Sequence, residues 1–422
     1  MSRNVDVLIV GGGQSGLAMS HLLTQQDIEH VILERHEAAN SWRRERWDSF
    51  HLVLPNRLWR MPGMAYDGDR PDGFMSKNEV VDRFDRYVAQ ARPPLIGNTV
   101  VRGVSLDRDD CFRVASEGQE FRCRQLVVAT GPFQRPNIPS WAGEIDPAVT
   151  QLASQDYRHP GQLPDGAVVV VGTGQSGVQI AEELLASGRK VYVCLGTRGW
   201  IPRRYLGRDI CDWYEEMGIF DVTLDKFPSL KEARAGGFSQ LAGDGGAGHD
   251  LNLHTLHSQG ATLLGRLVAG DRNGMQLRDG AACMEAADAF ARKACDMVKA
   301  FADATKHAAS TDDPWPEYCG TTVDGRQRLD FRRDGIASIV WANGFRPAYD
   351  WLGLPVCNDA GHPVHQRGVT GVPGLYFLGL EWQLRRKSST LMAGAEDAAH
   401  LLAQIMRFRG GRRSSGPTLQ EN

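Results

Sequence analysis

Apolar and polar positions repeat one pattern twice along the chain. Val5–Val10 is a β-branched run broken only by Asp6. It leads into a cluster of glycines, then a helical stretch over Ser15–Gln25 with Leu17, Leu22 and Leu23 apolar, then a second apolar run, Val31–Leu33. Strand, glycine turn, helix and strand make a βαβ unit with a parallel sheet. The same order returns at Ala167–Val171, the turn Gly172–Gly177, the helical stretch Val178–Ala186 and the strand Lys190–Leu195. Two such units far apart predict two nucleotide-binding domains rather than a repeat array.

The remaining segments are less regular. Phe112–Val114 and Phe121–Cys123 read as paired strands, and Leu126–Thr130 as a further strand closing at Gly131. The proline-rich Pro132–Pro139 and the polar run Asp156–Asp165 read as linkers. Within Phe220–Asp330 the pattern gives a glycine-rich loop, GDGGAG, a strand at Thr262–Leu267 and a helix from Met284 to about Lys306. Ile336–Trp341 and Gly374–Leu378 read as strands and Leu391–Phe408 as a terminal helix. From Gly410 onward apolar periodicity stops, and a disordered tail is expected.

Composition narrows the partners. A chain of 422 residues exceeds one ordinary core. A formal net charge of −3 gives no reason to expect nucleic acid or an acidic membrane surface. The eight cysteines form no CxxC pair, which argues against a zinc knuckle or a redox dithiol and for free thiols in a reducing compartment. There is no signal-peptide pattern and no membrane-length apolar run, so a cytoplasmic protein without a membrane span is expected.

The glycine turns carry the chemistry. In VLIVGGGQSG, Gly11 allows a tight turn, Gly13 lets the backbone approach a pyrophosphate, and Gly16 permits close helix–strand packing. Gln14 and Ser15 open the helix, whose free N–H groups face the phosphates. Glu34 ends the second strand, with Arg35 beside it, where a carboxylate accepts from ribose hydroxyls. In VVVVGTGQSG the matching residues are Gly172, Gly174, Gln175, Ser176 and Gly177. Here the second strand ends without an acid and leads to Thr197 and Arg198, whose guanidinium suits a 2′-phosphate. A solvated loop arginine is the alternative for Arg198, and Arg203 and Arg204 are close enough to share the role. An acid-ended site followed by an arginine-ended site implies FAD first and NADPH second. His249, His254 and His257 cluster in HDLNLHTLH, but read as packed or surface histidines rather than metal ligands.

With these motifs the chain resembles the single-component flavin-containing monooxygenases, and within them the bacterial and plant branch that includes the indole-pyruvate monooxygenases. The resemblance also rests on SWRRERWDSF at Ser41–Phe50, MPG at Met61–Gly63, VVATGPF at Val127–Phe133, WANGFRP at Trp341–Pro347, GLYFLGL and SSTLMAGAEDA. It implies an α/β fold of two Rossmann-like, glutathione-reductase-like domains, the second inserted into the first. The expected boundaries are 1–160 and 331–409 for the FAD-binding domain, 161–330 for the NADPH-binding domain with a helical insertion, and 410–422 for the tail.

The resemblance implies roles for particular residues. Trp42 and Arg43 match the family's flavin-contacting pair, with Asn40 where glycine is usual. Thr130–Gly131 and Asn343–Gly344 match the segments linking the domains beside the cofactors. Asn56 falls near the asparagine that faces the flavin, although an Asn next to proline also suits a turn. Ser388 and Ser389 precede a helix that would point its N-terminus at the flavin. Trp47, Trp59 and Met61 read as core or pocket wall.

The activity implied is reduction of FAD by NADPH, activation of O2 as a flavin peroxide, and oxygenation of a small organic substrate at soft nitrogen, sulfur or activated carbon. A homodimer is the family's expectation. One departure counts against oxygen transfer: Ala153 stands where the family fingerprint has histidine, ahead of Ser154 and Tyr157. The alternatives are an NADPH oxidase or dehydrogenase without oxygen transfer, and a non-catalytic redox-sensing flavoprotein.

Overall fold

A computed structural model describes residues 2–235, 241–244, 246–307 and 312–410. The expected tail past Gly410, and Gly245 of the glycine-rich loop, lie outside these. The first unit is β1 (Ser2–Val10), α1 (Gln14–Gln25) and β2 (His30–Leu33). Val7, Leu8 and Ile9 have no exposure, as a strand covered on both faces requires. Next come α2 (Lys77–Ala91), whose start is fixed by a Ser76–Glu79 capping box, and β3 (Leu95–Ile96). An antiparallel meander follows, β4 (Val101–Leu106), β5 (Phe112–Ser116) and β6 (Gln119–Val128).

The strands expected at Phe121–Cys123 and Leu126–Thr130 are thus one. β6 pairs antiparallel with β5 through its first half and parallel with β1 along its length. It ties the meander to the nucleotide-binding sheet.

The second unit comprises β7 (Thr150–Ala153), β8 (Ala167–Val171), α3 (Gln175–Ala186), β9 (Val191–Cys194), β10 (Thr262–Leu264), β11 (Val323–Asp324) and β12 (Ile336–Trp341). All its pairings are parallel, in the order β7-β12-β8-β9-β10-β11. The chain then returns through β13 (Leu375–Phe377), which pairs with β6, and α4 (Gly394–Arg409), which packs on α1 through Leu401 and Ile405. The first sheet therefore runs β3-β2-β1-β6-β5-β4, with β13 also on β6.

The insertion is wider than expected. β7 and β12 hydrogen-bond to each other, and β12 pairs with β8, so the second sheet spans Thr150–Trp341 rather than 161–330. The chain crosses between sheets at a short ribbon in which Arg135–Pro136 pairs antiparallel with Phe345–Arg346. The strand expected at Thr262–Leu267 is broken at Gly265, where a Cβ would meet the Arg278 carbonyl oxygen at 2.6 Å. Beyond the break, Arg266–Asp271 joins a separate antiparallel sheet with Gly274–Arg278 and Arg328–Asp330. The long helix spans Gly280–Ala304.

Candidate cofactor-binding and active site

The two glycine turns have the same geometry. Gly11 and Gly172 adopt φ of +110° and +106°, which L side chains rarely reach. A Cβ on either would also press on the carbonyl oxygen of Ala129 (2.5 Å) or Ala342 (2.7 Å). The third glycine of each turn, Gly16 or Gly177, would drive a Cβ into the carbonyl oxygen of the first. The middle glycines, Gly13 and Gly174, have nothing within 4 Å of a built Cβ. Each turn is thus closed towards its own sheet and open outward, with the helix N–H groups facing the opening.

One cavity of about 630 Å³ is lined by the first turn and by the helix start after the second, while Gly172, Gly174 and Gly177 themselves do not line it. From the first unit it is lined by Gly11, Gly13, Gln14, Ser15, Glu34, Arg35, Trp42, Thr130 and Gly131. From the second come Gln175, Ser176 and Gln179. An apolar wall of Trp47, Phe50, Leu52, Val53, Leu54, Leu58 and Trp59 completes it. Arg198, Asn343 and Gly344 line a second cavity of about 310 Å³, which shares Pro132, Phe133 and Phe345 with the first.

Several contacts stiffen the rim. Glu34 accepts from the backbone N–H groups of Gly12 (2.6 Å) and His36 (3.1 Å). Arg35 pairs with Glu45 at 2.9 Å. The Gln14 side chain donates to the Ser389 carbonyl at 2.8 Å, and the Gln175 amide pairs in both directions with the backbone of Leu241. Gln134 donates to Thr130 Oγ1 at 2.8 Å. Among the described residues, the buried oxygens without a partner include Asn40 Oδ1, Gln179 Oε1 and Asn343 Oδ1. Asn40 and Gln179 line the main cavity and are each 7% exposed. Buried acceptors left open in this way fit a ligand that brings its own donors.

Three expected site residues are placed elsewhere. Asn56 has no exposure and does not line the cavity. Its amide donates to the Arg70 carbonyl (2.9 Å) and Tyr66 hydroxyl (3.4 Å), and accepts from Met75 N–H (2.7 Å). It is a turn residue that ties its loop to Gly73 and Met75, and the wall beside it is made by Val53 and Leu54. Arg43 turns away to Asp85 and the Ala38 carbonyl; Arg46, three residues on, enters the cavity instead. Arg203 is 1% exposed, ion-paired with Asp209 at 2.5 Å, bonded to the Val53 carbonyl at 2.7 Å and stacked on Phe74. A guanidinium so enclosed has no donors to offer a 2′-phosphate.

The terminal helix starts at Gly394, five residues beyond Ser389. Ser388 instead accepts from the Leu384 and Arg385 N–H groups, while Ser389 lines the cavity. The three histidines each have a local partner: His249 with Glu182, His254 with Asp288 and Thr321, and His257 with Thr322. Ala153 ends β7, buried, and the next two residues, Ser154 and Gln155, line the cavity. Tyr157 is buried, donating to Glu183 at 2.6 Å.

Gln179 was findable from the pattern, since it lies one helical turn beyond Gln175. Arg46 was not, because nothing in SWRRERW separates its three arginines.

Known proteins share this arrangement. A family model described as pyridine nucleotide-disulphide oxidoreductase matches residues 8–207. An uncharacterized CzcO-like oxidoreductase of Geobacillus kaustophilus is 32% identical over 96% of this chain and 99% of its own. The indole-3-pyruvate monooxygenase YUCCA1 of Oryza sativa is 31% identical over 47% of this chain and 50% of its own. The chain belongs with the CzcO-like oxidoreductases. Solved structures share the fold. A flavin-containing monooxygenase from Stenotrophomonas maltophilia superposes with a TM-score of 0.65, at 20% identity over 96% of this chain and 99% of that one. OTEMO, solved in complex with FAD and NADP, superposes at 0.57, with 16% identity over 97% of this chain and 87% of that one. Among the described residues, no helix of this family member is long and apolar enough to cross a membrane.

Proposed function

We propose that the protein is an FAD- and NADPH-dependent monooxygenase acting on a small organic substrate at soft nitrogen, sulfur or activated carbon. The observation that carries the proposal is the shared cavity: the first glycine turn and the helix start that follows the second, Gln175 and Ser176, line one space with an apolar wall. When bound, FAD and NADPH supply the hydride transfer and the oxygen activation.

The chain's own residues bind, orient and exclude water. N–H groups at the starts of α1 and α3 take the two pyrophosphates. Glu34 keeps lone pairs for ribose hydroxyls while its bond to Gly12 fixes its rotamer. Arg198, at the second cavity, takes the 2′-phosphate. Trp47, Phe50, Leu52, Leu54 and Leu58 keep water from the reacting centre.

The test is turnover with NADPH and isotopically labelled O2 on a thioether, a tertiary amine and a 2-oxo acid. Labelled oxygen in at least one product supports the reading; recovery of all the label as hydrogen peroxide and water overturns it. One observation favours a second reading, an NADPH oxidase. Ala153 presents a methyl group where the family fingerprint carries histidine, directly before the cavity residue Ser154. That reading predicts one peroxide per NADPH with every substrate.

A further inference from the structure

Of the three arginines in SWRRERW, two are answered at the surface: Arg43 by Asp85 and Arg44 by Glu37. Arg46 is different. It lines the main cavity, and among the described residues no carboxylate forms an ion pair with it. Its neighbour Glu45 is engaged by Arg35. Its hydrogen bond is from Nη1 to the Glu45 backbone oxygen, 2.8 Å. The guanidinium is held over the Trp42 ring at 5.1 Å and near Phe50 at 5.8 Å, so its direction is fixed by stacking rather than by a counterion.

Burial pushes the pKa of the half-buried Arg46 down; the neighbouring Glu45 carboxylate opposes this, and the positive charge of Arg158 adds to it. Arg158 donates to the carbonyls of Gln155 (2.6 Å) and Tyr157 (2.8 Å). A part-buried guanidinium stacked on aromatic rings, with no carboxylate paired to it, keeps donors for an anion that enters the cavity.

The location narrows what that anion is. The segment carrying Arg46 is docked on the second unit: Asp48 N–H donates to the Arg158 carbonyl at 2.8 Å, and Ser49 Oγ to Glu183 of α3 at 2.7 Å. Gln175 and Ser176, at the start of α3, line the same cavity. We propose that Arg46, reinforced by Arg158, is an oxyanion seat between the two turns. It takes either phosphate oxygens of the nucleotide on the second turn or the carboxylate of an organic-acid substrate. The inference rests on the two-nucleotide reading above and adds the charge of what must enter.

The test uses FAD-loaded protein, wild type, Arg46→Met and Arg46→Lys. Binding of NADP+, phenylacetate and phenylacetamide is titrated by perturbation of the flavin spectrum, with FAD content as control. For a phosphate seat, Arg46→Met weakens NADP+ by about tenfold or more, the loss of one charge-assisted contact. For a carboxylate seat, the wild type prefers phenylacetate to the isosteric amide, and Arg46→Met abolishes that preference with NADP+ unchanged. In either case Arg46→Lys recovers part of the loss. Unchanged binding of NADP+ and of the acid in Arg46→Met, or a wild type that binds neither, overturns the seat. If Arg46→Met fails to hold FAD, Arg46→Lys and Arg158→Gln carry the same comparison, and no loss in either overturns it. These are binding readouts, so a wild type that binds FAD and NADP+ but transfers no oxygen defeats the monooxygenase reading without deciding this one.

Discussion

Asn56→Ala separates a structural role from a catalytic one. The side chain has no exposure and makes contacts on both sides of its amide. Removing it has unequal consequences. The Arg70 carbonyl retains the Gly73 N–H at 3.2 Å, so it stays satisfied. Met75 N–H loses Asn56 Oδ1 at 2.7 Å and is left buried without a partner. One orphaned buried donor costs about 1–3 kcal/mol, and the lost volume adds to it, giving about 2–4 kcal/mol. For a domain of this size that lowers the unfolding temperature on the order of 5–15 °C. The assay is thermal unfolding of the FAD-loaded protein, beside turnover per bound flavin well below the transition. A clear fall in unfolding temperature is expected, with an unchanged ratio of hydrogen peroxide formed to NADPH consumed. An unchanged unfolding temperature with a raised peroxide fraction would show instead that Asn56 faces the flavin.

Further outcomes follow from the same geometry. Arg198→Ala is expected to raise the KM for NADPH roughly ten- to hundredfold and leave NADH nearly unaffected, as loss of a contact worth about 1.5–3 kcal/mol requires; steady-state flavin reduction with each nucleotide checks this. Arg203→Met removes a buried guanidinium from the part-buried Asp209 and is expected to destabilise the fold by about 2–4 kcal/mol without changing nucleotide preference, as read by denaturant unfolding. Gly16→Ala is expected to lose FAD, whereas Gly177→Ala keeps FAD and weakens NADPH, because each Cβ strikes the first carbonyl of its own turn; flavin content and KM distinguish them. Asp397 is buried at the start of α4 with its pKa pushed up to about 6, chiefly by burial. The folded state then holds a proton that the unfolded state releases, so this group's contribution to stability falls as pH rises from about 4 to 6. Asp397→Asn should flatten that slope in unfolding experiments across the window.

Much of this architecture is visible in local patterns. The paired glycine turns are legible because each glycine answers a backbone requirement, a positive φ at Gly11 and Gly172 or a missing Cβ at Gly16 and Gly177. Such requirements fix residue type directly. The sequence bounds of the second sheet are not legible, because β7 and β12 belong to it through long-range pairing that leaves no mark in their own residues. Gly265 shows the same limit: its break depends on the Arg278 backbone, which approaches from a later strand. Side-chain direction is less legible still. Arg43, Arg46 and Arg203 are alike in sequence, and only the positions of Asp85, Trp42 and Asp209 divide them into a surface ion pair, a cavity cation and a core anchor. Asn56 was ambiguous for the same reason, since its partners at 70 and 75 are set by the path of the loop.

The central claim is that the two glycine turns serve one reaction space, so that a nucleotide on the second reaches a flavin on the first. Mixing the FAD-loaded protein with NADPH under anaerobic conditions tests this without reference to substrate. Complete bleaching of the oxidised flavin's visible absorbance is expected, at a rate that saturates with NADPH. A flavin that stays oxidised in excess NADPH, yet bleaches with dithionite, would contradict it.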